Sequence, residues 1–227
     1  MRLASRFLTP LKISARSVQL EIKTALNAVH LDHLLSSLTE HFKPNVLESL
    51  DVQDSRPGRA EFHNYALSPL TASAFQRLRA FTGLTRLNLG SMYISITDDE
   101  VLGLISTWPQ IEEFYLGTTW DWGALRFGVT FRGLGGILER CPNLRLLRVN
   151  LDTSAPHDLP VYVDHRYIGI TREKVTFLGV GYAECNVVEA IGNLLGAMCP
   201  NLRQIDRACL LSLVHESDVF YDKWPKR

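Results

Sequence analysis

Histidine beside aspartate is a pairing from which metal sites and acid–base catalysts are built, and His157, Asp158, Asp164 and His165 supply it in this 227-residue chain. Imidazole and carboxylate fixed on one face can hold a zinc ion or pass a proton. These four lie in the stretch 150–174, which has no helical stripe and contains the run Val161-Tyr-Val-Asp-His-Arg166. Their spacing fixes them on no common face, and a proline-rich loop is a poor rigid scaffold. An enzyme with its site in this loop is therefore the alternative that the spacing argues against. His30 and His33 flank the start of a helical pattern and read as solvated side chains. The sequence contains no GxSxG, GxxxxGK[ST] or HExxH motif and no GxGxxG after a strand. Gly133-Leu-Gly-Gly136 lies in a helix-like segment without the context of a phosphate loop.

Thiol chemistry is equally poorly served. The cysteines at 141, 185, 199 and 209 form no CxxC pair and lack metal-ligand spacing. Reduced thiols in a cytoplasmic or nuclear compartment fit them better than a disulfide framework. No metal or cofactor is expected. Lys plus Arg and Asp plus Glu both number 24, so the formal charge is zero. That argues against bulk electrostatic attraction to nucleic acid or an anionic membrane and leaves only a local charged patch for such binding. No apolar run approaches the roughly 20 residues that span a bilayer. The first twenty residues carry Arg2, Arg6, Lys12 and Arg16 before the first acid, Glu21, with Ser5, Ser14 and Ser17 between them. This composition can read as a targeting segment. It can also read as an ordinary first repeat, because Leu8, Leu11 and Ile13 match the pattern that dominates the rest of the chain.

In that pattern an apolar residue is followed three positions later by a second and two positions later by a third. It occurs at Leu47, Leu50, Val52; Leu84, Leu87, Leu89; Ile111, Phe114, Leu116; Leu144, Leu147, Val149; and Val175, Leu178, Val180. A weaker copy begins at Leu202 and Ile205, where Arg207 breaks the third position. Offsets between first residues are 37, 27, 33, 31 and 27. A period of this size with one short apolar strand per unit predicts a solenoid of about six repeats.

Helices are expected between the strands. Thr97-Asp-Asp-Glu100 is a capping box, followed by Val101, Leu104, Ile105 and Trp108 on one face. Ser68-Pro69 reads as a cap and first helical residue ahead of Phe75, Leu78 and Phe81. Phe131, Leu134, Ile137 and Leu138 form a stripe diluted by glycine. Leu31, Leu34, Leu35, Leu38 and Phe42 form an early one, and Val187, Val188, Ile191, Leu194, Leu195 and Met198 a late one after Asn186. The junctions are the most specific feature. Cys141-Pro142-Asn143-Leu144 and Cys199-Pro200-Asn201-Leu202 are the same tetrapeptide, and Trp108-Pro109-Gln110-Ile111 is a variant. Proline stops the helix and sets the chain extended, so that the next apolar residue enters a strand. The two cysteines then read as small buried packing residues.

These junctions resemble the leucine-rich repeats of F-box proteins, in which strand and helix alternate and C-P-N-L opens a repeat. The segment Val175-Thr-Phe-Leu-Gly-Val-Gly181, with the helix and Pro-Asn-Leu after it, resembles the C-terminal part of a large fungal F-box-like family. The resemblance covers roughly residues 45–210. It implies an α/β leucine-rich-repeat solenoid that recognises a protein substrate, feeding a ubiquitin ligase where an F-box is also present. Residues 1–45 do not match an F-box, so a Skp1-type adaptor is implied only if one is encoded upstream. The usual Asn or Cys three positions past the third apolar residue is not kept: the slots hold Ser55, Met92, Thr119, Asp152, Ala183 and Leu210.

The expected organisation is a single repeat domain over 1–227, with an irregular N-terminal repeat or cap over 1–45, repeats over 46–210 and a tail over 211–227. With positions one, four and six of each copy facing in, positions three, five and seven line a concave sheet face. The candidate protein-binding residues there are Asp51, Arg86, Asn88, Glu113, Tyr115, Arg148, Asn150 and Phe177. Trp120 and Trp122, two apart in a Gly-flanked loop, are a second candidate surface; they also read as a cap on the core. A monomeric, non-catalytic protein-binding module is the expectation, with a stand-alone scaffold free of any ubiquitin role as the alternative.

Overall fold

The computed structural model describes residues 13–22, 28–54, 69–117, 128–152, 170–181 and 195–207. Among these, seven strands form one sheet: β1 (Ser17–Ile22), β2 (Ser49–Asp54), β3 (Arg86–Leu89), β4 (Glu113–Leu116), β5 (Leu146–Val149), β6 (Phe177–Gly181) and β7 (Gln204–Arg207). Every neighbouring pair is parallel and the spatial order equals the chain order. The chain is thus an α/β repeat solenoid of the leucine-rich-repeat type. Because the strand order never reverses, the sheet has no topological switch point, the place where open α/β sheets bind small ligands.

One helical element follows each of the first four strands. These are α1 (Ala28–His41), a 3₁₀ helix (Ala72–Ala80), α2 (Asp98–Ile105) and α3 (Phe131–Arg140). Residues 195–198 form a further helical turn before β7. Burial alternates along β3, β4 and β5, with the second and fourth residue of each strand buried. Those buried residues join Leu31, Leu35, Phe75, Leu78, Leu104, Trp108, Leu134 and Ile137 from the helical side in one core cluster. The helices therefore cover one face of the sheet, and the alternate strand residues stand on the other.

The seventh strand was hidden in the sequence. The N-terminal copy expected at Leu8, Leu11 and Ile13 is not where the strand lies: Ile13 bridges Phe42, while β1 starts at Ser17. Leu8 and Leu11 lie outside the described residues. Register places Val18 opposite Leu50 and Leu20 opposite Val52, so the first apolar slot of this copy falls to Ala15, too small to mark it. Leu202, Ile205 and Arg207 do form the last unit, and Arg207 enters β7 through an irregularity between Gly179 and Gly181.

The segment before β3 also differs from expectation. Ser68 lies outside the described residues, Leu70 forms a bridge to Ile94, and the helix starts after Thr71, which caps it without a side-chain hydrogen bond. Its apolar positions, Ala72, Phe75, Leu78 and Phe81, recur every three residues. That period suits three residues per turn better than 3.6.

The repeat junctions are built alike. Leu84, Ile111, Leu144, Val175 and Leu202 each donate their N–H to the carbonyl three residues back, at 3.0 to 3.3 Å. The carbonyl just before each strand then accepts two N–H groups of the next repeat. Thr85 and Arg86 donate to Glu48, Glu112 and Glu113 to Thr85, and Arg145 and Leu146 to Glu112. A polar ladder runs along the same edge. Asn143 Nδ2 donates to Gln110 Oε1 at 2.8 Å, Lys174 Nζ to Asn143 Oδ1 at 2.6 Å, and Asn201 Nδ2 to the Glu173 carbonyl at 2.9 Å. The C-P-N-L asparagines thus supply a ladder at the start of the strands, whereas the usual leucine-rich-repeat slot for asparagine lies beyond their ends.

Candidate functional site

Two rows of side chains cross the face opposite the described helices in register. The first runs Ser49, Arg86, Glu113, Leu146, Phe177, Gln204, and the second Asp51, Asn88, Tyr115, Arg148, Gly179, Asp206. Seven of the eight concave-face candidates stand in these rows. Asn150 lies one residue past the end of β5. Its Nδ2 donates to the Gly117 carbonyl at 2.6 Å, and its Oδ1 is buried without a hydrogen-bond donor. That side chain ties two repeats together.

Sequence spacing missed Leu146. It occupies the third position of its copy, as Arg86, Glu113 and Phe177 do of theirs, and is half-buried between Glu113 and Phe177. The signal was present, since the same counting that yields Phe177 yields Leu146.

Charge on this face is organised into two groups. Arg86 sits between two carboxylates, 3.7 Å from Asp51 and 3.1 Å from Glu113, and Asn88 Nδ2 donates to Asp51 Oδ2 at 3.2 Å. Asp51, expected to be exposed, is 9% exposed, because Arg86 and Asn88 on the neighbouring strand both engage it. Its Oδ1 has no donor. In the second group Arg148 reaches over β6 to an ion pair with Asp206, and its guanidinium carbon lies 5.4 Å from the centre of the Phe177 ring. Gly179 makes this reach available, for a Cβ there would come within 2.7 Å of Arg148 Cγ. Tyr115 lies between the groups. Burial first, and the Glu113 carboxylate second, push its phenol above the ordinary value, so it is a hydroxyl donor rather than an anion.

This arrangement can recognise but has no nucleophile–base pair. A small cavity beside the ends of β4 and β5 is lined by Ile94, Ile96, Leu116, Gly128, Val129, Val149 and Asn150, which include no titratable side chain. Among the described residues no three His, Cys, Asp or Glu side chains are placed to hold a metal ion. His157, Asp158, Asp164 and His165, together with Trp120 and Trp122, lie outside the described residues. His30 and His33 are exposed on α1. Burial pushes the Cys141 thiol up to about 12 and the Cys199 thiol up to about 11. Both are buried in the core cluster as packing groups, while Cys185 and Cys209 lie outside the described residues.

No protein-family model and no curated protein matches this chain. Among solved structures it is similar to a chain of the yeast Rad7 and Elc1 complex, at 12% identity and a TM-score of 0.37 over 85% of this chain and 62% of that one. It is also similar to the leucine-rich repeat-containing protein LegL7 from Legionella pneumophila, at 12% identity and a TM-score of 0.32 over 81% of this chain and 70% of that one. This chain thus spans less than two thirds of the first of these relatives. The seven-stranded parallel ladder, rather than either likeness, defines the solenoid.

Proposed function

We propose that this chain is a non-catalytic protein-interaction module that takes its partner on the sheet face opposite the described helices. The observation that carries the reading is the pair of in-register rows. They combine paired charges with Tyr115, Leu146 and Phe177, a composition suited to polypeptide and poorly suited to a phosphate backbone. Repeat arrays use such continuous surfaces for binding. The test is a folded Arg148→Glu, Tyr115→Ala double variant, which is expected to lose the partner. Full binding by that variant would remove the face from consideration.

A finer reading is a substrate-recognition arm of F-box-like type. Its support is the C-P-N-L tetrapeptide at 141–144 and 199–202. In that role the chain works as a monomer in the cytoplasm or nucleus and meets a Skp1-type adaptor only through an F-box encoded upstream. Co-purification of the full gene product with such an adaptor is the expected result. Partner binding without adaptor binding would instead make it a stand-alone scaffold.

A further inference from the structure

The chemistry of the partner can be narrowed from the charge balance of the face, an inference that rests on the interaction reading above. Among the described residues of β2 to β7, the two rows hold three carboxylates, Asp51, Glu113 and Asp206, against two guanidiniums, Arg86 and Arg148. Both guanidiniums are already engaged. Arg148 is spent on Asp206 and the Phe177 ring, and Arg86 is divided between Asp51 and Glu113. One carboxylate charge is left over, and it sits in the Asp51–Arg86–Glu113 group. There Asp51 Oδ1, on a side chain shut off from solvent, has no donor at all. An acidic partner would have to break one of the existing pairs, whereas a cationic side chain completes the group. Beside it on the next two strands stands an apolar shelf of Leu146 and Phe177, both half-buried.

We propose that this face takes an extended partner segment in which a Lys or Arg side chain lies three to four residues from an apolar one. The cation docks at Glu113, the accessible carboxylate of the group, and the apolar group lies on Leu146 and Phe177. Spacing sets the interval. Neighbouring strands are about 4.8 Å apart, so β4 and β6 are separated by about 10 Å, which an extended chain at about 3.3 Å per residue crosses in three to four residues. Tyr115, two residues along β4 from Glu113 and with its hydroxyl protonated, can donate to the backbone of the segment.

The test is selection of a displayed random twelve-residue peptide library against the full chain. The expected winners carry Lys or Arg three to four residues from Phe, Tyr, Trp or Leu. Binding of one such synthetic peptide should fall about tenfold with Glu113→Gln and again with Phe177→Ala, in variants with unchanged circular dichroism, and should weaken with salt. Winners rich in Asp and Glu that are lost with Phe177→Ala would overturn the basic-segment proposal and leave the face as an interaction surface. No enrichment, or winners indifferent to both substitutions, would overturn the interaction reading and this proposal with it.

Discussion

Arg172 shows how much structural load a single exposed-looking residue carries. Its Nε donates to the Leu138 carbonyl at 2.5 Å and its guanidinium to the Glu139 carbonyl at 3.0 Å, so it closes the last turn of α3, where carbonyls have no partner within the helix. Arg172→Ala should cost about 1.5–3 kcal/mol in urea unfolding, the range for hydrogen bonds to a charged group. Lysine should restore little, because its ammonium has the donors but not the rigid fork that places Nε and Nη2 on the two carbonyls at once. The two buried thiols make an opposite kind of prediction. A proton held more tightly in the folded chain stabilises it fully at pH values where both states keep the proton, and the benefit shrinks once the unfolded chain begins to release its own. Stability is thus fully present below the ordinary thiol value of 9.0 and falls as pH rises through it towards about 11 for Cys199 and about 12 for Cys141. At pH 8, iodoacetamide should leave both unmodified in the native protein and label them in urea. Rapid native labelling, read by mass spectrometry, would show that they are not packing groups.

Elements reward a similar separation of local rule from context. The capping box at α2 is complete, with Glu100 N donating to Thr97 Oγ1 and Thr97 N to Glu100 Oε2 at 2.8 Å. Thr97→Ala should therefore lose about 1 kcal/mol, measured as a lower urea midpoint at constant slope. Gly133 in α3 breaks the local rule. Glycine inside a helix normally costs about 1 kcal/mol against alanine, so Gly133→Ala should stabilise. Here a Cβ would collide with the Asp98 carboxylate, which accepts from Thr130 N at 2.8 Å and from Thr130 Oγ1 at 2.5 Å. Gly133→Ala should accordingly destabilise, and a gain in midpoint would refute this packing of α2 on α3. The same contrast marks what was legible in the sequence. The capping box, the strand triplets and the proline junctions are rules of near neighbours, and they mark six of the seven strands and α2 directly. The glycines of α3 looked like dilution because their reason, Asp98 and Leu102 on α2, is distant in the chain. The 3₁₀ helix was mistaken in type although its three-residue period stood in plain sight. On the open face, position counting placed the rows but missed Leu146 and could not see that Arg86 and Asn88 bury Asp51, since that depends on side chains reaching between strands.

At the scale of the whole molecule, each described strand pairs only with its neighbours in chain order, and the reach of Arg148 over β6 to Asp206 is a side-chain exception, so stability should behave as a row of units joined by interfaces rather than as one core. Phe114 is fully buried in β4, the middle strand, between Leu87 and Leu147. Phe114→Ala removes its contacts with the repeats on both sides and should cost about 3–5 kcal/mol. In a globular domain that loss would lower a single transition. In a row of units it weakens the coupling between the two halves, so the urea transition should broaden or split. Hydrogen exchange should then show β5 to β7 opening apart from β1 to β3. Ile205→Ala provides the control, because β7 has a neighbour on one side only among the described strands and its loss should trim one end and leave the main transition single. A sharp single transition for Phe114→Ala, with uniform exchange across all seven strands, would mean that the array unfolds as one unit. The two halves of the open face, the Arg86 group on β2 to β4 and the Arg148 group on β5 to β7, would then be rigidly coupled, and a partner spanning both would gain its affinity without ordering either.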